Sequence, residues 1–166
     1  MNSSRSQLRF YAKEEDFETL QGFELLSEQV EFTALPGEAL EVAAQDPNRY
    51  PVVIQSAEGE TVGFFVLHLN AGLDSLVDNP RAILLRALSV DFRQQGKGYA
   101  KAAMLQLPAF VREHFPEVDE IVLAVNARNL TAQRLYLQVG FEDRGLTRLG
   151  PVGLQHIYHF KMERTG

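Results

Sequence analysis

Residues 82–104 read AILLRALSVDFRQQGKGYAKAAM, and the fold follows from how this stretch is read. The apolar run Ala82–Val90 has strand character, Asp91–Gln95 is a short polar turn, Gly96 and Gly98 follow, and an alanine-rich segment then begins at helical spacing. The helix is expected from about Gly98 to His114. Ala100, Ala103, Met104, Leu107, Val111 and His114 fall on one face of it, with Lys97, Lys101, Pro108 and Arg112 opposite. Pro108 removes one hydrogen bond and bends the rod from its solvent side. A glycine-bearing turn between strand and helix presents several backbone N–H groups to an anion, with the positive helix end behind them. A phosphate is therefore the expected ligand of the turn.

Downstream, Glu120–Val125 (EIVLAV) is apolar on both alternations, the pattern of a central strand covered on both faces. Asn129 is placed to cap the next helix and Gly140 to end it, with Ala132, Leu135, Tyr136 and Val139 as one apolar stripe. Phe141–Leu149 and Gly153–Met162 read as the last two strands, separated by Gly150-Pro151. Upstream, Leu8, Phe10 and Ala12 alternate as a first strand, and Glu14–Phe23 is a helix with acidic charge at its start. Pro36 suits the first turn of the helix Gly37–Gln45. Pro51–Ala57 and Thr61–Asn70 form a hairpin around Glu58-Gly59-Glu60. Leu25–Thr33 shows no clear period, and Asn70–Pro80 reads as a loop.

The resulting order is β α α β β β α β α β β. The central strand–helix–strand unit requires a parallel crossover, while the flanking strands read as hairpins. The expected class is α/β: a mixed, mostly antiparallel sheet of about seven strands with about four helices on both faces. No repeat or linker divides residues 1–166, so a single domain is expected.

The formal charge of −6 argues against nucleic acid as a partner, because a phosphate-backbone binder concentrates Lys and Arg. The absence of cysteine removes disulfides, thiolate catalysis and cysteine metal sites. No run approaches the ~20 apolar residues of a membrane helix, and MNSSRSQLRF has no apolar signal core. The expectation is a cytoplasmic protein without a membrane partner. His68, His114, His156 and His159 raise the question of a metal, but His156-x-x-His159 does not place both rings on one face of a strand, so none is expected.

The glycine turn is not a P-loop, since Lys97 lies between two glycines with no Ser or Thr after it. Nor is it a dinucleotide fingerprint, because Lys101 stands where the third glycine belongs. A plain tight turn would also use two glycines. The wider context is more specific. Arg93-x-x-Gly96-x-Gly98, preceded by Leu88-Ser89-Val90 and followed by Ala100, resembles the acetyl-CoA-binding motif (Gln/Arg-x-x-Gly-x-Gly/Ala) of the GNAT superfamily of N-acetyltransferases. A second block agrees with that family: Asn126-Ala127-Arg128-Asn129, Ala132, Leu135-Tyr136, then Gly140-Phe141. The resemblance is specific over Ala82–Phe141 and architectural elsewhere.

The resemblance implies acetyl-CoA as cosubstrate, no metal, and direct attack of an amine on the thioester in a ternary complex. It implies that backbone groups of Leu88, Ser89 and Val90 pair with the pantetheine arm. N–H groups around Gln94, Gln95, Gly96, Lys97, Gly98, Tyr99 and Ala100 would hold the diphosphate, with Arg93 in the same motif. Asn126, Asn129 and Ala132 would serve the pantetheine or its surroundings, and Tyr136 would protonate the departing CoA thiolate. Read as residues alone, Tyr136 on an apolar stripe also suits a core tyrosine, Asn129 a plain cap, and Lys97 and Lys101 solvated charges.

A lysine-like amine with pKa ~10.4 is mostly protonated at neutral pH, a deficit of roughly 4–5 kcal/mol that calls for a base. Many members of the family offer a glutamate on the strand entering the motif, whereas Ala82–Val90 carries Arg86 as its one charge. Glu24, Glu28 and His68 are the candidate bases, directly or through water. The acceptor walls are expected from Phe23–Pro36, Asn70–Pro80 and Gly145–Leu154, with Glu24, Glu28, Phe32 and Thr33 as candidate substrate-binding residues. The acidic charge favours a small amine or polyamine over a protein amine as acceptor. The other readings are an acyl-CoA-binding sensor without chemistry and a nucleotide-binding regulatory domain. Monomer and homodimer remain equally open.

Overall fold

The computed structural model describes residues 6–71 and 75–163, except for the side chains of Ser27 and Glu28. Its seven strands are β1 (Gln7–Phe10), β2 (Arg49–Gln55), β3 (Thr61–His68), β4 (Ala82–Val90), β5 (Glu120–Asn126), β6 (Glu142–Gly150) and β7 (Gly153–Lys161). They form one sheet in the order β1-β2-β3-β4-β5-β7-β6. The β4–β5 pairing is parallel and the others are antiparallel. The helices are α1 (Lys13–Gln21), α2 (Ser27–Val30), α3 (Pro36–Ala44), α4 (Tyr99–His114) and α5 (Leu130–Gln138). The mixed α/β architecture expected from the sequence is present, with α2 as an addition. It is a single turn inside Leu25–Thr33, too short to display a 3.6-residue period.

Helices cover both faces because the central strands are apolar on both alternations. On one face Leu20, Phe23 and Leu40 from the α1–α3 region pack on Val53, Phe64 and Val66. On the other, Met104, Leu107 and Val111 of α4 and Tyr136 of α5 pack on Phe65, Leu67, Ile83 and Ile121. Burying such side chains contributes about 1.5–3 kcal/mol each before the entropy of ordering is counted. One expectation for α4 is corrected. His114 is exposed at the last turn, where its ring meets Phe10 of the edge strand β1 and Phe110 of its own helix at 4.9 and 4.5 Å. Ala102 is fully buried, whereas Ala100 is half-buried.

Two irregularities in β4 shape the functional end. Relative to β3, β4 carries an extra residue between Arg86 (opposite Val66) and Ser89 (opposite Phe64), and Ala87 takes φ 61°. A left-handed non-glycine residue costs about 1–2 kcal/mol, and such bulges re-aim the chain that follows them. In addition, β4 and β5 pair only as Ala82–Glu120, Ile83–Ile121 and Leu84–Val122. Beyond Leu84 the two parallel strands part. β4 stays on β3 as far as Val90, and β5 stays on β7 as far as Asn126.

Candidate functional site

The parting leaves a wedge at the carboxyl ends of β4 and β5, where open α/β sheets place their ligands. From Leu85 to Val90, β4 has a strand partner on its β3 side but none on its β5 side among the described residues. Backbone N–H and C=O groups facing the wedge can therefore pair with an extended ligand as with an added strand. The Ser89 hydroxyl lies in the same segment, buried and without a hydrogen-bond partner among the described residues.

At the mouth, β4 runs through Asp91 and one 3-10 turn (Phe92–Gln94) into Gly96 and Gly98, which caps α4. Gly96 and Gly98 have φ 80° and 83°, and no atom lies within 4 Å of where a Cβ would stand on either. The space above the turn is open, and Gly98 brings no side chain to accept from the first N–H groups of α4. Those groups lack intrahelical acceptors and carry the positive end of the helix dipole, so they suit a diphosphate.

The side chains of the turn are largely committed. Arg93 donates to Asp91 at 3.1 Å and to the Gly22 carbonyl at 3.1 Å, so it braces the turn. Gln95 Nε2 donates to Gln29 Oε1 at 2.6 Å and to the Val90 carbonyl at 3.0 Å. Lys97 is exposed and bonded to Gln94 Oε1 at 3.0 Å, while Tyr99 and Ala100 are half-buried in the first turn of α4. Backbone is thus the part of this turn left for an anion.

Across the wedge, Asn126 Nδ2 donates to the Val152 carbonyl at 3.1 Å and its Oδ1 accepts from Arg128 N at 2.9 Å. Asn129 Oδ1 accepts from Ala132 N at 3.2 Å as the cap of α5. Both amides hold the β5–α5 loop in shape. Tyr136 is 8% exposed, with its ring edge-on to Phe141 at 5.6 Å. No hydrogen bond to its hydroxyl occurs among the described residues. Burial pushes the phenol pKa well above its ordinary value, so the group keeps its proton.

Of the candidate bases, Glu24 is exposed and anchored beside the turn: its N–H donates to Asp91 Oδ1 at 3.1 Å, and its carbonyl accepts from Phe92 N at 2.7 Å. The side chain of Glu28 lies outside the described residues, as do Gly72 and Asp74 of the Asn70–Pro80 loop. His68 is buried on the α1–α3 face. Its Nδ1 accepts from Arg86 Nε at 3.1 Å, and its Nε2 lies 3.2 Å from Asp46 Oδ2. The Asp46 carboxyl is held below the usual range, chiefly by the Asn48 N–H. With Nδ1 accepting from Arg86 and Nε2 facing Asp46, both ring nitrogens of His68 are engaged within the α1–α3 face and neither is presented to an amine.

Sequence reasoning did not single out four residues that tie the 22–35 segment across the mouth. Asp91 and Gln29 fasten it to the turn. Glu31 Oε2 pairs with Arg128 at 2.9 Å, and the Arg128 guanidinium lies 5.3 Å over the half-buried Phe32 ring. Arg128 also donates to the Val152 carbonyl at 3.2 Å. Thr33 is half-buried beside them. The one advance signal was the position of Arg128 inside the Asn126–Asn129 block; contact between Glu31 and Arg128 joins residues too far apart in sequence for spacing to reveal.

A polar cavity of about 390 Å³ lies on the α1 side of the turn, lined in part by Arg9, Asp16, Thr61, Asp91 and Arg93. Its charges satisfy each other: Arg9 grips Asp16 with two bonds of 2.7 and 2.8 Å, and Thr61 adds a third at 3.0 Å. It is a structural joint. Among the described residues, no group of three or more His, Cys, Asp or Glu is placed to hold a metal, and no helix is long and apolar enough to cross a membrane.

A parted parallel strand pair that opens on a helix start without a side-chain cap suits a ligand with an extended arm and a diphosphate, as acyl-CoA has. Residues 11–141 match the acetyltransferase (GNAT) family, and the chain belongs to that family as an acyltransferase using acetyl-CoA. It is similar to the uncharacterized N-acetyltransferase YbbJ of Bacillus subtilis (strain 168), 49% identical over 153 residues that cover 92% of this chain and 94% of the relative. In fold it is similar to aminoglycoside acetyltransferase AAC(6')-Ib in complex with coenzyme A and kanamycin (TM-score 0.74, 23% identity, 94% of each chain). It is also similar in fold to spermidine N-acetyltransferase from Vibrio cholerae in complex with CoA and spermine (TM-score 0.72, 17% identity, 96% of each chain).

Proposed function

We propose that this chain transfers the acetyl group of acetyl-CoA to a primary amine of a small molecule, by direct attack with both substrates bound. The observation that carries the reading is the one-sided edge of β4, Leu85–Val90, opening toward a helix start with free N–H groups. Bound acetyl-CoA supplies an activated acyl group as its thioester. Backbone groups of Leu88, Ser89 and Val90 align the pantetheine arm as an extra strand, and the N–H groups from Gly96 to Ala100 hold the diphosphate; contrary to the sequence expectation, those of Gln94 and Gln95 are spent inside the 3-10 turn, on the Asp91 and Phe92 carbonyls at 2.8 and 3.3 Å. Asn126, Asn129 and Ala132 keep the opposite wall in shape.

As the C–N bond forms and the C–S bond breaks, Tyr136 gives its proton to sulfur. The surplus proton of the amine leaves to water at the mouth, beside Glu24, and Tyr136 is reprotonated from solvent. The products are the acetamide and the free thiol of CoA. A small amine or polyamine is favoured over a protein amine by the net charge of −6 and by fold relatives crystallised with kanamycin and spermine.

The test is thiol release from acetyl-CoA with a panel of amines, with product mass by mass spectrometry. Release that depends on the amine, with a product 42 Da heavier by simple replacement of H by acetyl, is the expected result. Tight acetyl-CoA binding without turnover on any amine would instead make the chain a sensor, and tight ATP binding without CoA binding would sink the assignment.

A further inference from the structure

We infer that Glu31 and Phe32 form the subsite for a second positive charge on the acceptor, and that Arg128 fills this subsite until the acceptor arrives. The inference rests on the amine-acetylating reading above and names its substrate class: amines bearing another cationic group away from the reacting nitrogen.

The site is built and has a cation in it. The Arg128 guanidinium lies 2.9 Å from Glu31 Oε2 and 5.3 Å from the centre of the Phe32 ring. A carboxylate beside an aromatic face recognises an organic cation by charge and by the ring quadrupole together. The position is also right. Glu31 and Phe32 follow α2, whose Gln29 is fastened to Gln95 of the glycine turn at 2.6 Å. Arg128 follows Asn126 at the end of β5 and reaches the Val152 carbonyl at 3.2 Å. The segment therefore spans the two strands whose parting opens the wedge, and Glu31 and Phe32 stand at its rim.

The internal cation is displaceable. The side chains of Arg128 and Glu31 are 59% and 45% exposed. Exposed ion pairs and exposed cation–ring contacts are individually weak. A mobile ammonium held nearby by the bound acceptor can therefore replace the guanidinium, which keeps its bond to Val152 and its hydration. Phe32, half-buried, stays as the wall against which the acceptor's methylenes pack.

The test compares 1-aminobutane with 1,4-diaminobutane and spermidine as acceptors at saturating acetyl-CoA, reading the ratio of kcat/KM for each polycation to that for the monoamine. In Glu31→Gln the ratio should fall about threefold to fivefold, and in Phe32→Leu about threefold, in keeping with one lost exposed charge contact and one lost ring contact. In Arg128→Gln it should rise about twofold to fivefold, because the internal competitor is gone. Acetyl-CoA affinity by calorimetry and Tm accompany each variant. A ratio unchanged in Glu31→Gln, or a ratio that falls in Arg128→Gln, overturns the subsite while leaving amine acetylation intact. A parent chain inactive on all three amines and on the wider panel overturns the acetylation reading itself.

Discussion

Replacing Tyr136 by Phe separates a catalytic hydroxyl from a packing one. The ring is buried and edge-on to Phe141 at 5.6 Å, and Phe preserves that contact. The hydroxyl makes no hydrogen bond among the described residues, so its removal takes no partner away. The hydroxyl is not one of the fully buried unpartnered polar atoms, so it carries no large desolvation penalty, and its loss should shift Tm by no more than about 2–4 °C, the effect of ~1 kcal/mol for a chain of this size. Turnover should move far more. General acid catalysis contributes about 10²–10⁴-fold. A thiolate, whose conjugate thiol has a pKa near ~8.5, needs less help than an alkoxide, so the low end, about 10²-fold in kcat, is expected. Because burial raises the phenol pKa, Tyr136 should impose no falling limb on kcat/KM below about pH 10, and the profile should rise with deprotonation of the amine. The assays are steady-state thiol release from pH 6 to 10, calorimetry with acetyl-CoA, and thermal denaturation, with that range spanning about the titration of the amine. A kcat within about threefold of the parent, well short of the general-acid range, would refute the reasoning and return Tyr136 to the core. So would a loss matched by weaker acetyl-CoA binding and a lower Tm.

Three further perturbations address the scaffold of the site. Gly96→Asp sets a carboxylate over an open turn at φ 80°; at about 4 Å from a phosphate, repulsion of about 1–4 kcal/mol should weaken acetyl-CoA binding tenfold or more, whereas Gly96→Ala carries the backbone strain alone. Calorimetry on both separates charge from strain, and equal affinities would remove the diphosphate from this turn. Asp16→Asn leaves Arg9 without its fully buried carboxylate, and loss of one partner of a buried pair costs about 3–5 kcal/mol, nearer the low end because Arg9 is partly exposed, as read by urea denaturation. Burial alone would raise the Asp16 pKa, but hydrogen bonds from Arg9, Ala12 N and Thr61 outweigh it and hold the carboxyl below its ordinary 3.8. Its contribution is thus present above about pH 4 and is lost as pH falls through the depressed value, so the parent should lose its advantage over the variant in acid. Asn129→Ala removes the cap of α5 and should cost about 1 kcal/mol in denaturation, with acetyl-CoA affinity reporting any further role of that loop.

Local chemistry made much of the chain legible. Ala82–Val90 is a strand over those same residues, Pro108 sits inside α4, and Asn129 caps α5. Each of these depends on residues within one or two turns of each other. The one-turn α2 and the exposure of His114 were not legible, because the first is too short to carry a period and the second depends on the last turn of α4 lying at the edge strand β1. Arg93 stands in the motif as expected, yet its guanidinium goes to Asp91 and Gly22, the latter 71 residues away.

By itself the sequence determined the element order, the two-sided burial of the central strands, and a glycine turn at a helix start suited to a diphosphate. These are local properties of periodicity and backbone freedom. The tertiary structure decided where β4 leaves β5, that the Tyr136 ring is buried edge-on to Phe141, and that Glu31, Phe32 and Arg128 meet across the mouth. Those features depend on strand register and on contacts between residues nearly a hundred positions apart, which no spacing in the chain encodes.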